Sequence, residues 1–386
     1  MREYDFDELV ERRGTGCVKW DEMPLSDVIP LWVADMDFKA APAIQEAIRK
    51  RAEHGVFGYT VVGDDYYEAI ISWFQRRHEW TIHREEILYT TGVVPAMSVA
   101  IKALTKPDDK VLILSPDYNC FFSSIRNNEC KVLETILQRT GDTFEVDWAD
   151  FEAKCADEKT TVFLLCNPHN PCGRVWTKAE LEQMNDICMK HGVKVVSDEI
   201  HCELVMPGYH YQPFAAVSEA CRQNSVILNS PSKSFNIAGL QAANIICSRP
   251  EWRRRLDRAI NINEVCDLNP FGPVTLVAAY NESEDWLDAL NQYLWENYQT
   301  LCDFAASHLP QWKICRLEGT YLPWVDITAT GMTSQAYCER LLNEAKVWVN
   351  PGTMYGPQSG EGYIRLNIAC PRARLQEALI RINNIK

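Results

Sequence analysis

From residue 87 onward, short apolar runs recur along the chain, each separated from the next by a stretch of different character. The runs are ILYTT from Ile87, VLIL from Val111, VLETIL from Val132, VFLL from Val162, KVVS from Lys194, VILN from Val226 and NIIC from Asn244. Several are apolar without polar alternation, as in strands covered on both faces. Helical periodicity between many of them predicts an α/β architecture. One unit shows the logic. After the run from Val162 comes the turn-rich N-P-H-N-P-C-G. Thr177 then reads as a helix N-cap, with Glu180 three residues on to complete a capping box. Leu181, Met184, Ile187 and Cys188 form the apolar stripe, Gly192 stops the helix, and the next strand begins at Lys194.

Beyond about residue 280 the pattern changes. A long helix is expected over 285–308, with Trp286, Leu290, Leu294, Leu301 and Phe304 on its apolar face, followed by mixed short strands and helices. The first 45 residues differ again, with Pro24, Pro30 and Pro42 and little periodicity. The expected organisation is a large domain over 46–284 and a small domain over 285–386, which the N-terminal segment 1–45 joins.

Composition narrows the class. Hydrophobic residues are 46% and charged residues 24% of the 386 positions, as in ordinary soluble globular proteins. No apolar run reaches the roughly 18–20 residues of a membrane span. The N-terminal MREYDFDELVERR carries charge where a signal peptide has its apolar stretch, so a cytoplasmic protein is expected. The net charge of −14 opposes a nucleic-acid partner. Arg253, Arg254 and Arg255 read as the solvated face of a helix. The 15 cysteines are odd in number and without a C-x-x-C pair, which suits free thiols in a reducing compartment and no metal site.

Candidate chemistry lies in loops that follow strands, where open α/β sheets bind ligands. Thr91-Gly92-Val93-Val94-Pro95 precedes a helical pattern at Met97, Ile101 and Leu104, and its free N–H groups suit a phosphate. Asn170 sits in a rigid turn after the fourth run. Asp198 ends the fifth, where a carboxylate could hold a protonated ring nitrogen or simply cap a helix. Lys233, in S-P-S-K-S-F, follows the sixth among hydroxyls, where it could bond covalently to an aldehyde. Each loop alone has an ordinary structural reading. Their order, completed by Arg365 in G-E-G-Y-I-R-L-N, resembles the fold-type I pyridoxal-phosphate (PLP) enzymes of the aspartate aminotransferase superfamily. Within it, W-V-A-D-M-D-F at 32–38, D-E-I-H at 198–201 and K-S-F-N-I-A-G-L-Q at 233–241 resemble the MalY/PatB group of cystathionine β-lyases. Aminotransferases usually carry a tyrosine where this chain has His201, and often an arginine where it has Gln241. Both departures weigh towards a lyase.

The resemblance implies a large domain with a mainly parallel seven-stranded sheet, a smaller α+β domain, and PLP as cofactor. It implies that Lys233 anchors the cofactor and acts as base, that Asp198 pairs with the ring nitrogen, and that Tyr118 stacks on the ring. Asn170 and His201 would meet the phenolic oxygen. Gly92, Val93, Val94, Ser230 and Ser232 would hold the phosphate, with Tyr59 of a neighbouring subunit. Arg365, with Ala34 and Asn170, would hold the substrate carboxylate. The implied reaction is α,β-elimination from cystathionine or a related cysteine S-conjugate, by a homodimer with shared active sites. Alternatives are an aminotransferase using the same residues, and a regulatory binding partner of a transcription factor. No G-x-G-x-x-G follows a predicted strand, which argues against a nicotinamide-dependent dehydrogenase.

Overall fold

The computed structural model describes residues 4–23, 25, 27–262 and 266–385; Pro24 lies outside them. The seven apolar runs form the seven strands of one sheet. They are β1 (Ile87–Thr90), β2 (Lys110–Ser115), β3 (Lys131–Ile136), β4 (Thr160–Cys166), β5 (Lys194–Asp198), β6 (Ser225–Asn229) and β7 (Ala243–Ile246). The spatial order is β1-β7-β6-β5-β4-β2-β3. Strand β7 runs antiparallel to β1 and β6, and the other pairs are parallel.

The central runs lack polar alternation because both faces of the sheet are covered. Successive side chains enter opposite cores. Phe163 and Leu165 of β4 pack in one apolar cluster, while Val162, Leu164 and Cys166 pack in the other. Strand β6 divides in the same way, with Ile227 on one side and Val226 and Leu228 on the other.

Four helices that the sequence pattern predicts are present. Helix α1 (Val93–Leu104) buries Met97, Ile101 and Leu104. In α2 (Lys178–Lys190) the Thr177–Glu180 capping box forms, and Gly192 adopts φ +73° just past the helix end. In α3 (Pro250–Asn261) Arg254 and Arg255 are solvated, but Arg253 turns back to donate to the carbonyls of Cys247 and Ser248. Helix α4 (Glu284–His308) begins one residue earlier than expected and buries Trp286, Leu290, Leu294 and Leu301. Phe304 is partly buried and stacks on His308, one turn further along.

A second, antiparallel sheet comprises β8 (Lys313–Ile314), β9 (Trp324–Asp326), β10 (Asn350–Pro351) and β11 (Tyr363–Arg365), in the order β8-β9-β11-β10. The N-terminal segment reaches this region, where Ile29–Pro30 pairs in parallel with Val347–Trp348. Trp32 then stacks on Trp348 at 4.2 Å. No helix among the described residues is long and apolar enough to cross a membrane.

The capping box gives the first prediction. Thr177→Ala removes the hydroxyl that accepts from the Glu180 N–H, and should cost about 1 kcal/mol of stability. A chemical-denaturation midpoint that does not fall would contradict this account of the α2 start.

Candidate active site

Strand register brings three loops together. Cys166 at the end of β4 pairs with Asp198 at the end of β5, and Asp198 pairs with Leu228 near the end of β6. The Asn167–Gly173 and Ser230–Lys233 loops therefore flank Asp198 at the carboxyl edge of the sheet. A cavity of about 200 Å³ opens there, lined by Ala34, Gly92, Val93, Val94, Tyr118, Asn170, Asp198, His201, Ser232 and Lys233, together with Pro95, Cys166, Ile200 and Ala238. A larger groove of about 550 Å³ lies between Ala43–His54 and Val274–Glu282 and carries none of the candidate chemistry.

Alternation along β5 decides which of two adjacent acids faces the cavity. Asp198 lines it, and its Oδ1 accepts from the Ile200 N–H at 3.1 Å. Burial raises its carboxyl to about 7, with Glu199 adding to the rise and the Ile200 N–H and Lys233 opposing it. Glu199 points into the protein and accepts from Tyr211 Oη, the Phe214 N–H at 3.0 Å and Ser197 Oγ at 2.8 Å. The acid with an unfilled hydrogen-bonding shell is thus the one in the cavity.

Past β6, the Lys233 Nζ donates to the Ala34 carbonyl at 2.6 Å. Burial lowers its proton affinity, as does Arg365, against the pull of Asp35 and Asp198. Ser232 lines the cavity. Ser230 sits behind it, bonded to Ser232 Oγ and donating to the Ala242 carbonyl at 2.6 Å, so it supports the loop rather than the cavity wall. Across the cavity, Gly92 caps α1 in extended backbone, and the first-turn amides at Val93 and Val94 have no acceptor within the helix. Tyr118 follows β2, with its phenol raised well above the usual range by burial.

Arg365 arrives from β11 of the second sheet and is 97% buried, being 3% exposed. Its Nη1 donates to Asn170 Oδ1 at 3.1 Å and its Nη2 to the Trp32 carbonyl at 2.9 Å. The guanidinium lies 4.6 Å above the Tyr355 ring, and its Nε has no partner. His201 is equally buried, and its Nδ1 also lacks a partner. Burial, then the charges of Lys233 and Arg365, depress the imidazole to about 3, so the ring is neutral.

Tyr59 stands apart from this group. It is 99% exposed, outside its own chain's cavity, in a stretch where Val56, Phe57 and Val61 are also exposed. The sequence reading missed Tyr321, whose hydroxyl donates to the Ala34 carbonyl at 2.9 Å and whose ring stands edge-on to His201 at 6.0 Å. It also missed Tyr355 beneath Arg365 and Asn350, which donates to the Trp32 carbonyl at 2.9 Å. None of the three sits in a recognisable motif, and only the tertiary fold brings them to the site.

Similarity to known proteins gives the family. The model of the aminotransferase class I and II family matches residues 26–382. Cystathionine β-lyase PatB of Bacillus subtilis is 40% identical over 98% of this chain and 98% of its own length. A PLP-bound structure from Clostridium difficile 630, provisionally assigned as an aminotransferase, superposes with TM-score 0.96 at 40% identity, covering 99% of each chain. Cystalysin from Treponema denticola, which contains PLP, superposes with TM-score 0.96 at 34% identity over 99% of this chain and 98% of its own. With a match of this extent in both sequence and structure, the chain belongs to the aminotransferase class I and II family, in the group that contains PatB.

Proposed function

We propose that this protein is a PLP-dependent C–S β-lyase that splits cystathionine or a related cysteine S-conjugate into a thiol, pyruvate and ammonia. The observation that carries the reading is one cavity of about 200 Å³ lined by both Lys233 and Asp198, with the buried Arg365 bonded to Asn170 in its wall. The donor set fits the cofactor. First-turn amides and Ser232 suit a phosphate, Asp198 suits a ring nitrogen, and the lysine amine opens on the same cavity. The unpartnered His201 Nδ1 and Arg365 Nε are polar groups that a cofactor and substrate would satisfy.

Bound PLP supplies an electron sink that makes the α-hydrogen of an amino acid acidic. The chain does the rest. Lys233 would anchor the cofactor through its ε-amine, and its amine, once free, would take the α-proton. Its lowered proton affinity favours the neutral amine that this task needs. Asp198 would keep the ring nitrogen protonated. Tyr118 would cover the ring face, and Asn170 and His201 would meet its phenolic oxygen. Gly92, Val93, Val94 and Ser232 would cradle the phosphate, with Ser230 bracing Ser232. Arg365 grips the substrate carboxylate beside Asn170 and Ala34, holding the Cα–H bond towards Lys233. The electron pair left by the α-proton would then expel the thiolate from Cβ, the thiolate would be protonated to the thiol, and the freed aminoacrylate would react with one water to give pyruvate and ammonia.

A homodimer with shared sites is part of this reading. The exposed run Val56, Phe57, Tyr59 and Val61 supports it, because an apolar stretch so bare suits cover by a second copy, whose phosphate Tyr59 would reach. A cytoplasmic location is also part of it; the free cysteines suit a reducing compartment. The second reading is an aminotransferase, favoured by the family description itself. It would need a keto acid to turn over, whereas the lyase does not.

Three expected outcomes follow. Purified holoenzyme given L-cystathionine without keto acid should release pyruvate and thiol continuously, and Lys233→Ala should lose both this and the visible cofactor band. Conversion to the amine form of the cofactor without pyruvate would favour the aminotransferase. Arg365→Lys breaks the paired donors and should lower kcat/KM about 10–100-fold, chiefly through KM. His201 is neutral across the working range, so His201→Gln should slow the reaction without moving either limb of the pH–rate profile between about pH 5 and 9. A shifted limb would mean that His201 titrates in the working enzyme.

A further inference from the structure

The Lys233 amine is bonded to a main-chain carbonyl that it shares with a phenol. Its Nζ donates to the Ala34 oxygen at 2.6 Å, and the same oxygen accepts from Tyr321 Oη at 2.9 Å. Lys233 and Ala34 line the cavity. Tyr321 is fully buried and has no part in the mechanism above.

The shared carbonyl belongs to a segment tied down by side chains. The Trp32 carbonyl accepts from Arg365 Nη2 and Asn350 Nδ2, each at 2.9 Å. Those of Val33 and Asp35 accept from Asn367 Nδ2. That of Met36 accepts from Arg12 Nη1 at 2.9 Å and Asn236 Nδ2 at 3.0 Å. For the Ala34 carbonyl, the side chain that does this beside the lysine is Tyr321.

Tyr321 is itself held by a strained backbone. Thr320, just before it, has φ +71°, in the left-handed region that a β-branched residue rarely enters. The Thr320 N–H donates to the Leu204 carbonyl at 2.7 Å, and its Oγ1 accepts from the Leu322 N–H at 3.1 Å. The Tyr321 carbonyl accepts from the Ile368 N–H at 3.1 Å. Such a conformation persists where the surroundings over-determine it, and here it precedes the residue whose phenol meets Ala34. Burial raises that phenol above its usual range, so it stays a hydrogen donor.

We infer that Tyr321 is a positioning residue for the Lys233 amine, acting through the carbonyl of Ala34. The inference rests on the proposed role of Lys233 as anchor and base. A neutral amine has two N–H bonds and one lone pair. With one N–H given to Ala34, the lone pair points away from that carbonyl. An amine works as base or nucleophile through that lone pair. A loose carbonyl would let the long lysine side chain wander among rotamers, and the phenol limits that freedom. The role concerns the unlinked amine, the form that captures the cofactor and the form that takes the α-proton.

Two rates read that amine. One is the gain of the visible band when PLP is added to protein freed of cofactor. The other is exchange of the α-hydrogen of L-alanine for deuterium by the holoenzyme, followed by NMR. L-alanine has the amine and the carboxylate but no leaving group. Tyr321→Phe deletes one hydroxyl and should slow both rates about 3–10-fold, the worth of one hydrogen bond, with the half-saturating L-alanine concentration unchanged. Thr320→Gly accepts the backbone angle but frees the phenol, and should slow both rates too. Tyr66→Phe removes another buried hydroxyl, bonded to Asn244 Oδ1 at 2.6 Å, and should change neither. Thermal midpoints report folding, and if Tyr321→Phe does not fold, Thr320→Gly decides. A folded Tyr321→Phe in which either rate keeps its wild-type value overturns the inference and leaves Tyr321 as a core residue. A higher half-saturating concentration with unchanged rates also overturns it, since the phenol would then serve the substrate grip. Equal slowing in Tyr66→Phe overturns it as a general effect of lost stability. A wild type that gains no band overturns the cofactor reading, and one that gains the band but exchanges no α-hydrogen overturns Lys233 as base; the inference falls with either. Band and exchange without pyruvate from L-cystathionine would overturn the lyase reading alone.

Discussion

The rest of this structure depends on holding Asp198 and Arg365, both buried, and the half-buried Lys233 around one small cavity. Each charge taken from water carries a penalty of several kcal/mol unless partners replace the lost hydration. Much of the surrounding architecture consists of those partners. The carbonyl of Ala34 receives Lys233, and that of Trp32 receives Arg365. Asn170 meets Arg365 from the other side. The segment Trp32–Phe38 therefore serves both cations through its backbone, whatever its side chains do. Its own position depends on Arg12, Lys19, Asn236 and Asn367.

The two sheets divide the work. Parallel pairing of β4, β5 and β6 sets Asp198 between the loops of Asn170 and Lys233, with one-residue precision, because a slip by one residue would turn the Asp198 side chain to the opposite face. Glu199 shows the other side of that alternation: its carboxylate is filled by Tyr211, Phe214 and Ser197 and takes no part in the cavity. The small antiparallel sheet supplies Arg365 from β11, seated over Tyr355. A carboxylate gripped there must lie within reach of groups rooted in the large sheet. Shared residues of the apolar core span both sheets, so this relation rests on packed side chains rather than on a linker.

The electrostatics of the cavity follow from burial more than from any single pair. The same dehydration raises Asp198, lowers Lys233 and keeps His201 neutral. Each shift suits the role proposed for its group: an amine that can take a proton, an imidazole that does not compete for one, and a carboxyl raised to about 7 that a facing cation would hold ionised.

Some of this was legible in the sequence, and the division has a physical cause. Periodicity determined the seven strands, the capped start of α2 and the buried stripe of α4, because side-chain alternation and capping act over a few residues. The loops after those strands exposed Gly92, Asn170, Asp198 and Lys233 as candidates, since strand ends in an open α/β sheet are where ligands bind. Their joint identity rested on likeness to a family, not on periodicity. Local pattern could not say that Ser230 would brace Ser232, nor that Tyr321, Tyr355 and Asn350 would stand at the site. The bonds of Tyr321 to Ala34 and of Asn350 to Trp32 join residues hundreds of positions apart, and only the folded core holds them within bonding distance.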